Sequence, residues 1–164
     1  MDRQQSRTSL AEARVRLIAT QGRARARLTG VLAESCAAAP GRGWPERVVA
    51  AVAAAVEFAA TAPEEARLLL LDAVTIDPAL GAGAMHTHDY LAELLRGGRA
   101  HCPGAARMPE LTERAMIGAA TSIVANRLRG GAAADLPALA PALTQLLLTP
   151  YVGLERARQL SLGR

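Results

Sequence analysis

Residues 111–152 read LTERAMIGAATSIVANRLRGGAAADLPALAPALTQLLLTPYV, and this stretch decides the fold. In its first half, apolar and small side chains recur at steps of three and four residues, the period of an α-helix. They are Leu111, Ala115, Met116, Ala119, Ser122, Ile123 and Asn126. Two arginines, Arg127 and Arg129, lie in the last turn, and the glycines at 130–131 end the helix. This half therefore predicts a helix over about Thr112–Arg129.

The second half predicts another helix, over about Leu136–Tyr151. Asp135 is a favoured N-cap residue, and Pro137 suits the first helical turn. From Leu136 to Leu154 the only ionisable side chain is Tyr151. A helix that is apolar on most sides needs cover on most sides, and a second subunit can supply it. The alternative is a central pair of core helices in a monomer.

Composition favours helix throughout. Hydrophobic residues make up 51% of the 164-residue chain and aromatic residues only 2%, so Ala, Leu and Val build the core. Alanine and leucine favour helices, whereas β-branched and aromatic strand formers are scarce. We predict an all-α fold with a basic connector helix at residues 1–38 and a helical domain at 39–164.

Turn signals predict the other helices. Pro45, Pro63 and Pro78, together with the glycines near positions 43 and 81, delimit them. The predicted ranges are about 9–38 with a break at Gly22, 44–63, 63–76, 84–100 and a short tail helix at 154–162.

Several of these motifs resemble the regulatory domain of TetR-family transcriptional regulators. They are Gly118-x-x-x-Ser122 with the basic helix end, Asp135-Leu136-Pro137, and Leu-Leu-Leu-Thr-Pro-Tyr-Val-Gly at 146–153. Upstream, Gly-Trp-Pro-Glu-Arg-Val at 43–48 and Ala-Arg-Leu-Leu-Leu-Leu-Asp-Ala at 66–73 are similar to the first helices of that domain. The resemblance covers about three quarters of the chain. It implies a helical bundle that binds a small effector and dimerises through a four-helix interface.

The predicted dimer interface combines apolar and small residues of the last two long helices. It comprises Ile117, Gly118, Ser122, Ile123, Leu139, Leu143, Leu146, Leu147 and Tyr151.

The resemblance also implies an effector pocket among the second, third and fourth helices and the helix that begins near Leu111. The candidates, chosen by position and chemistry, are Phe58, Asp72, Thr75, Met85, His86, Tyr90 and Met116. The expected ligand is apolar to amphipathic. The alternative is that Phe58, Met85 and Met116 simply fill gaps in the core, which methionine does well.

The N-terminal region departs from the TetR pattern. Family members begin with a helix-turn-helix DNA-binding domain, hereafter the reader, and the sequence signature of its recognition helix is missing here. Leu10–Gly22 resembles the first reader helix, and from Arg23 onward the chain resembles the connector into the regulatory domain. We interpret this as a reader that is missing from between Gly22 and Arg23. The alternative is one long connector helix over residues 9–38.

Positive charge is concentrated in residues 1–30, which hold seven arginines against two acidic residues, a net charge of +5. Weak phosphate contacts are predicted for Arg14, Arg16, Arg23, Arg25 and Arg27. Phosphate contacts carry no sequence information, so we expect no sequence-specific DNA binding by this chain alone.

The sequence gives little support for enzymatic activity or for metal binding. No spacing of nucleophile, base and acid indicates catalysis, and Glu110 and Glu113 read as helix-start acids that favour the dipole. Met85-His86-Thr87-His88-Asp89 and His101-Cys102 contain metal-ligand residue types, but residues two apart on a helix face different directions. We interpret the segment as a helix start with one histidine turned inward, and predict no metal and no cofactor.

The sequence thus predicts a cytoplasmic, bacterial-type TetR-like regulatory domain that forms a homodimer. Cys36 and Cys102 do not form a disulfide framework, and the prolines at 137, 141 and 150 argue against a membrane span. Two other functions stay open. One is a ligand-free pairing module that modulates another regulator, and the other is a basic amphipathic protein that binds membrane surfaces.

Overall fold

The computed structural model describes the backbone of residues 2–38, 43–72 and 88–163, and the side chains of 11–38, 43–71 and 88–163. Every regular element in these ranges is helical, which confirms the predicted all-α fold. The helices are α1 (Asp2–Ala37), α2 (Trp44–Thr61), α3 (Pro63–Arg67), α4 (88–96), α5 (Thr112–Arg129), α6 (Ala140–Val152) and α7 (Leu154–Ser161). A π-helical turn, Leu68–Asp72, continues α3, and 3-10 turns occupy Gly97–Ala100, Pro103–Arg107 and Ala133–Leu139.

Helix α2 lies at the centre of the bundle. It contacts α1, α3, α6, α7 and the 3-10 turns at 97–100 and 133–139. Its proline occupies the first turn, where the missing N–H costs nothing. Buried residues recur along one side of α2, at Val48, Val52, Val56 and Ala59, and α6 buries Leu148. A fully buried Val or Leu side chain contributes roughly 1.5–3 kcal/mol to stability, so the packing of α2 against α6 stabilises much of the core.

The predicted break in the first helix is wrong, because α1 runs without interruption through Gly22. A glycine inside a helix costs only about 1 kcal/mol against alanine. Packing of the buried side chains of Ala24 and Leu32 outweighs that cost. Residues 11–20 are exposed except for the half-buried Leu17, so only the second half of α1 belongs to the core.

The predicted start of the sixth helix is also wrong. Asp135 lies inside the 3-10 turn Ala133–Leu139, and the α-helix begins at Ala140. Pro141 favours the later start, because its missing N–H costs nothing in the first turn of an α-helix. Helix α5 and the tail helix α7 begin and end within a residue of the predicted positions. The predicted ends at 63–76 and 84–100 fall partly outside the described residues.

Among the described residues, no helix combines the length and the apolarity needed to cross a bilayer.

Candidate ligand-binding cavity

Helices α1 to α6 surround an apolar cavity of about 110 Å³. Its walls include Leu28 from α1, Phe58 from α2, Leu69 from the π-helical turn, and Ile117 from α5. Leu143 and Leu147 of α6 close the opposite side. Protein interiors are close-packed, so a space of this size at the centre of the bundle is a candidate binding site.

The sequence of α2 explains why the space exists. Ala51, Ala55 and Ala59 recur every four residues, which places their methyl groups on one face of the helix. An alanine side chain is too short to fill the distance to the leucines of α6. The alanine-rich composition that favours helix therefore also leaves the cavity.

His88 is the polar feature of the cavity wall. It lies at the start of α4 as described, and its Nε2 is buried without a hydrogen-bond partner among the described residues. Burial lowers the pKa of His88 below 6.5, and the neighbouring Asp89 carboxylate offsets this in part. The imidazole is therefore neutral at pH 7, with one nitrogen able to pair with a ligand.

Thr121, the other polar residue in the wall, has no free donor. Its hydroxyl donates to the carbonyl oxygen of Ile117 at 2.9 Å, with Gly118 O at 3.1 Å as a second acceptor. Hydrogen bonds of this kind, to the carbonyl four residues earlier, are common for threonine in helices. Among the described residues, His88 Nε2 is thus a buried side-chain atom that has no hydrogen-bond partner.

The predicted pocket residues are distributed unevenly. Phe58 lines the cavity, whereas Tyr90 and Met116 do not. Burial and the neighbouring Cys36 thiol raise the pKa of Tyr90, and Met116 packs half-buried against the core. The structure thus places Phe58 in the wall of this cavity and Tyr90 and Met116 outside it. Thr75, Met85 and His86, and the side chain of Asp72, lie outside the described residues.

The predicted interface residues divide into two groups. Ile117, Leu143, Leu147 and Tyr151 are buried in the core of the chain itself. A side chain that its own fold already covers cannot pack against a second subunit. The remaining five are at least partly accessible: Gly118 and Leu139 are half-buried, and Ser122, Ile123 and Leu146 are exposed.

The five predicted phosphate-contacting arginines are not equivalent. Arg27 forms an ion pair with Glu65, and its guanidinium carbon lies 5.5 Å from the centre of the Phe58 ring. Arg27 is therefore engaged with Glu65 and with the wall of the cavity. Arg23 donates to the Thr20 hydroxyl at 3.0 Å, and Arg25 is half-buried. Arg14 and Arg16 are exposed on the first half of α1.

Sequence reasoning missed a buried ion-pair cluster at the other end of α2, hereafter the Glu113 cluster, which consists of Trp44, Arg99, Glu113 and Tyr151. Glu113 is 0% exposed. Arg99 Nε donates to Glu113 Oε1 at 2.7 Å and Arg99 Nη2 donates to Oε2 at 2.8 Å, while the Tyr151 hydroxyl donates to Oε1 at 2.9 Å. The carboxylate thus holds the loop before α5 against α6.

The arginine also fixes that loop directly. Arg99 Nη1 donates to Met108 O at 3.0 Å and Nη2 to Pro109 O at 2.8 Å. The planar guanidinium suits such a bidentate arrangement, which a lysine cannot reproduce.

Two pKa shifts follow from this geometry. Burial acts to raise the pKa of Glu113, but the hydrogen bonds from Arg99 and Tyr151 and the charge of Arg99 outweigh it, so the pKa lies below 4.5. Burial, followed by the hydrogen bond to Glu113 and its negative charge, raises the pKa of Tyr151 well above 10. At neutral pH the cluster is a carboxylate with a cation and a neutral phenol.

Trp44 completes the cluster. Its indole Nε1 donates to Leu94 O at 2.6 Å, and its ring centre lies 4.9 Å from that of Tyr151 at an interplanar angle of 58°. Gly98 allows the ring to approach, because a Cβ there would lie 2.4 Å from two Trp44 ring atoms and 2.8 Å from Tyr151 Cδ1.

We expect Gly98→Ala to lower the free energy of unfolding by about 1–3 kcal/mol, the usual cost of an overpacked core. The methyl group would overlap the Trp44 ring, which cannot move without displacing Tyr151. Urea unfolding followed by circular dichroism measures the change. Gly104→Ala is the matched control, because a Cβ at Gly104 meets nothing within 4 Å. Equal stability of the two variants would show that the close approach at Gly98 does not matter.

The described residues contain no group of three or more His, Cys, Asp or Glu side chains that could hold a metal ion. Of the histidine-rich segment, His88 lies in the cavity wall and His101 is exposed; residues 85–87 lie outside the described part. The chain matches no protein-family model, no curated protein and no solved structure.

Proposed function

We propose that this chain is a regulatory domain of the TetR type that binds a small apolar effector and acts as a homodimer. The cavity is the observation that carries the proposal. Its walls are apolar side chains from six helices, with one unpaired imidazole nitrogen. Small-molecule sites in proteins are concave and mostly apolar, with few polar groups that orient the ligand.

The π-helical turn supports a functional role for the cavity. Leu68–Asp72 is π-helical, and Leu69 and Leu70 from this turn contribute to the wall. Single π-helical turns are frequent at functional sites.

Toluene is a suitable probe, since apolar cavities of about 150 Å³ bind benzene. We expect one equivalent of toluene to bind the full chain in titration calorimetry. Ala55→Leu should weaken this binding at least tenfold, about 1.4 kcal/mol, because its larger side chain occupies the cavity. Ala53→Leu is the matched control, since Ala53 is exposed on the same helix. A chain that takes up no toluene, or an Ala55→Leu variant that binds it normally, would contradict the effector site.

Dimerisation finds support in two exposed, uncharged rows of side chains. On α5 the row comprises Ala115, Ala119, Ser122, Ile123 and Asn126, and on the neighbouring α6 segment it comprises Ala138, Ala142, Leu146 and Pro150. A Cβ at Gly118 would meet nothing within 4 Å, so there is room beside α5 for another helix. These rows, and not the buried leucines, form the proposed interface.

We expect the chain to have twice its 17.1 kDa mass in solution, measured by light scattering after size exclusion. Leu146→Glu should yield a monomer, because a carboxylate at a closed apolar interface loses its hydration. Val15→Glu is the control, since Val15 is an exposed apolar residue on α1. A monomeric wild type, or a dimeric Leu146→Glu variant, would refute this interface. A dimer that binds no toluene would instead favour the ligand-free pairing module.

Sequence-specific DNA binding is not part of the proposal. Asp2–Ala37 forms one helix, whereas a helix-turn-helix reader needs two helices joined by a turn. Contacts from Arg14 and Arg16 to phosphates would be weak and would disappear at moderate salt.

A further inference from the structure

The unpaired nitrogen of His88 constrains the chemistry of the ligand more closely than the apolar walls do. Of the two polar side chains among the described residues of the cavity wall, Thr121 already donates its hydroxyl hydrogen bond to Ile117 O. His88 Nε2 is buried and has no hydrogen-bond partner among the described residues. A buried polar atom without a partner loses its hydration and gains nothing in return. A ligand that supplies a partner therefore binds with an advantage over one that does not.

The charge of the ligand follows from the surroundings. Apart from His88, the described side chains in the cavity wall are uncharged, and none of them is a carboxylate or a guanidinium. An ion transferred into such a cavity loses its hydration without meeting a counter-charge. The ligand is therefore neutral.

The polar group of the ligand follows from the chemistry of imidazole. A neutral histidine carries one N–H donor and one acceptor nitrogen, and Nε2 can be either. A hydroxyl group both donates and accepts, so it pairs with Nε2 in both tautomers. Neither a thioether nor an alkyl group forms a hydrogen bond of comparable strength with Nε2 in either tautomer.

The volume of the cavity limits the size of the ligand. The cavity volume of about 110 Å³ is somewhat below the ~150 Å³ that accommodates benzene in an engineered cavity. Leu91 lies one helical turn after His88 in the same wall, so the ring or chain that carries the hydroxyl packs against it.

We infer that the cavity binds a neutral, compact apolar molecule with a single hydroxyl group, and that this hydroxyl pairs with His88 Nε2. The inference rests on the proposed function, since it names the class of effector for the same cavity. It assigns His88 as the residue that distinguishes a hydroxylated ligand from a hydrocarbon of the same shape.

Phenol and toluene test the inference, because they share a ring and differ in a hydroxyl against a methyl group. The full chain is titrated with each by calorimetry, and the quantity of interest is the ratio of the phenol to the toluene association constant. In His88→Phe the phenol hydroxyl enters an apolar wall unpaired, so we expect this ratio to fall at least about fivefold. His88→Gln should restore most of it, because its amide offers both a donor and an acceptor.

Thr121→Val is the matched control in the same wall. Its hydroxyl is already bonded within α5, so the ratio should stay unchanged. If the ratio falls in Thr121→Val and not in His88→Phe, the hydroxyl is held elsewhere and the inference is overturned. An unchanged ratio in His88→Phe with normal toluene binding also overturns it, while the effector site stands. Failure of both probes to bind the wild type refutes the proposed function itself.

Nitrogen NMR of the wild type gives an answer that does not depend on the folding of any variant. The side-chain Nε2 resonance of His88 should move on addition of phenol and stay nearly fixed on addition of toluene. Equal movement with both probes would show that the ring senses occupancy and not the hydroxyl, which contradicts the inference.

Discussion

Glu113→Ala is expected to lower the free energy of unfolding by about 3 kcal/mol or more. Removing one partner of a buried ion pair typically costs about 3–5 kcal/mol, because the other partner is left without its counter-charge. Glu113 is fully buried, and Arg99 and Tyr151 both donate to it. Arg99 retains some contact with solvent, which places the expected effect at the lower end of that range.

Urea unfolding followed by the fluorescence of Trp44, the single tryptophan, measures this change. Glu110→Ala is the matched control, since Glu110 lies three residues earlier and is exposed. A surface substitution of this kind usually changes stability by less than about 0.5 kcal/mol. If both variants lose the same small amount, Glu113 is merely a helix-start acid, as its sequence position indicates.

The pH dependence of stability gives an independent reading of Glu113. Its pKa lies below 4.5 in the folded protein, so the unfolded chain takes up the proton first as pH falls. The stabilising contribution is therefore complete above pH 4.5 and is lost as pH drops through the folded-state pKa. Glu113→Ala should lack this component of the acid-induced loss, and an identical acid profile would contradict the pairing.

The helices were predictable from the sequence because their signals are local. Gly130 ends α5 at the predicted place, and the proline in Trp44-Pro45 marks the start of α2. Composition decides the fold class in the same way, since alanine and leucine favour helix wherever they occur. The start of α6 was misjudged because Asp135 and Pro141 compete as start signals, and Pro141 fits the first turn, where its missing N–H has no partner to lose.

The partners of apolar faces were not predictable, and this explains why the predicted interface mixes buried and exposed residues. Periodicity shows that α6 is apolar almost all round, but not which side its own chain covers. Leu143 and Leu147 face the core, whereas Leu146 is exposed on the other side of the helix. Only the positions of α2 and α5 decide between them.

The Glu113 cluster was missed because its members are far apart in sequence. Arg99 precedes Glu113 by 14 residues and Tyr151 follows it by 38, so no local pattern joins them. One signal was present: Tyr151 is the single ionisable side chain between Leu136 and Leu154. A phenol in an otherwise uncharged, buried helix requires a hydrogen-bond partner, and a buried carboxylate is one of few candidates.

The inward histidine illustrates the same limit on a smaller scale. The sequence indicates that one histidine of the segment 86–88 turns inward, but the two differ by two positions and hence face different directions on a helix. Residue 88 lines the cavity, whereas His86, the one named from sequence, lies outside the described residues. Deciding between them requires knowing where the helix begins relative to its neighbours.

Trp44→Ala is the second substitution with a large expected effect, about 3–5 kcal/mol in the free energy of unfolding. The ring is almost fully buried between Gly98 and Tyr151, and its N–H donates to Leu94 O. Removing it leaves a void that the helices cannot close, since Gly98 has no side chain to move into the space. It also leaves the Leu94 carbonyl oxygen, in the last turn of α4, without its hydrogen-bond donor. Carbonyl groups at this end of a helix have no partner within the helix.

Trp44→Phe separates these two contributions, because it keeps most of the ring and loses the hydrogen bond. We expect it to cost less than half as much as Trp44→Ala, as measured by circular dichroism in urea. Trp44 lies about 10 Å along α2 from Ala51, the nearest wall residue of that helix, at 1.5 Å per residue. Toluene binding by Trp44→Ala should therefore persist below its unfolding temperature. If binding is lost while the helical signal remains, the cluster positions the cavity wall and does not only stabilise the fold.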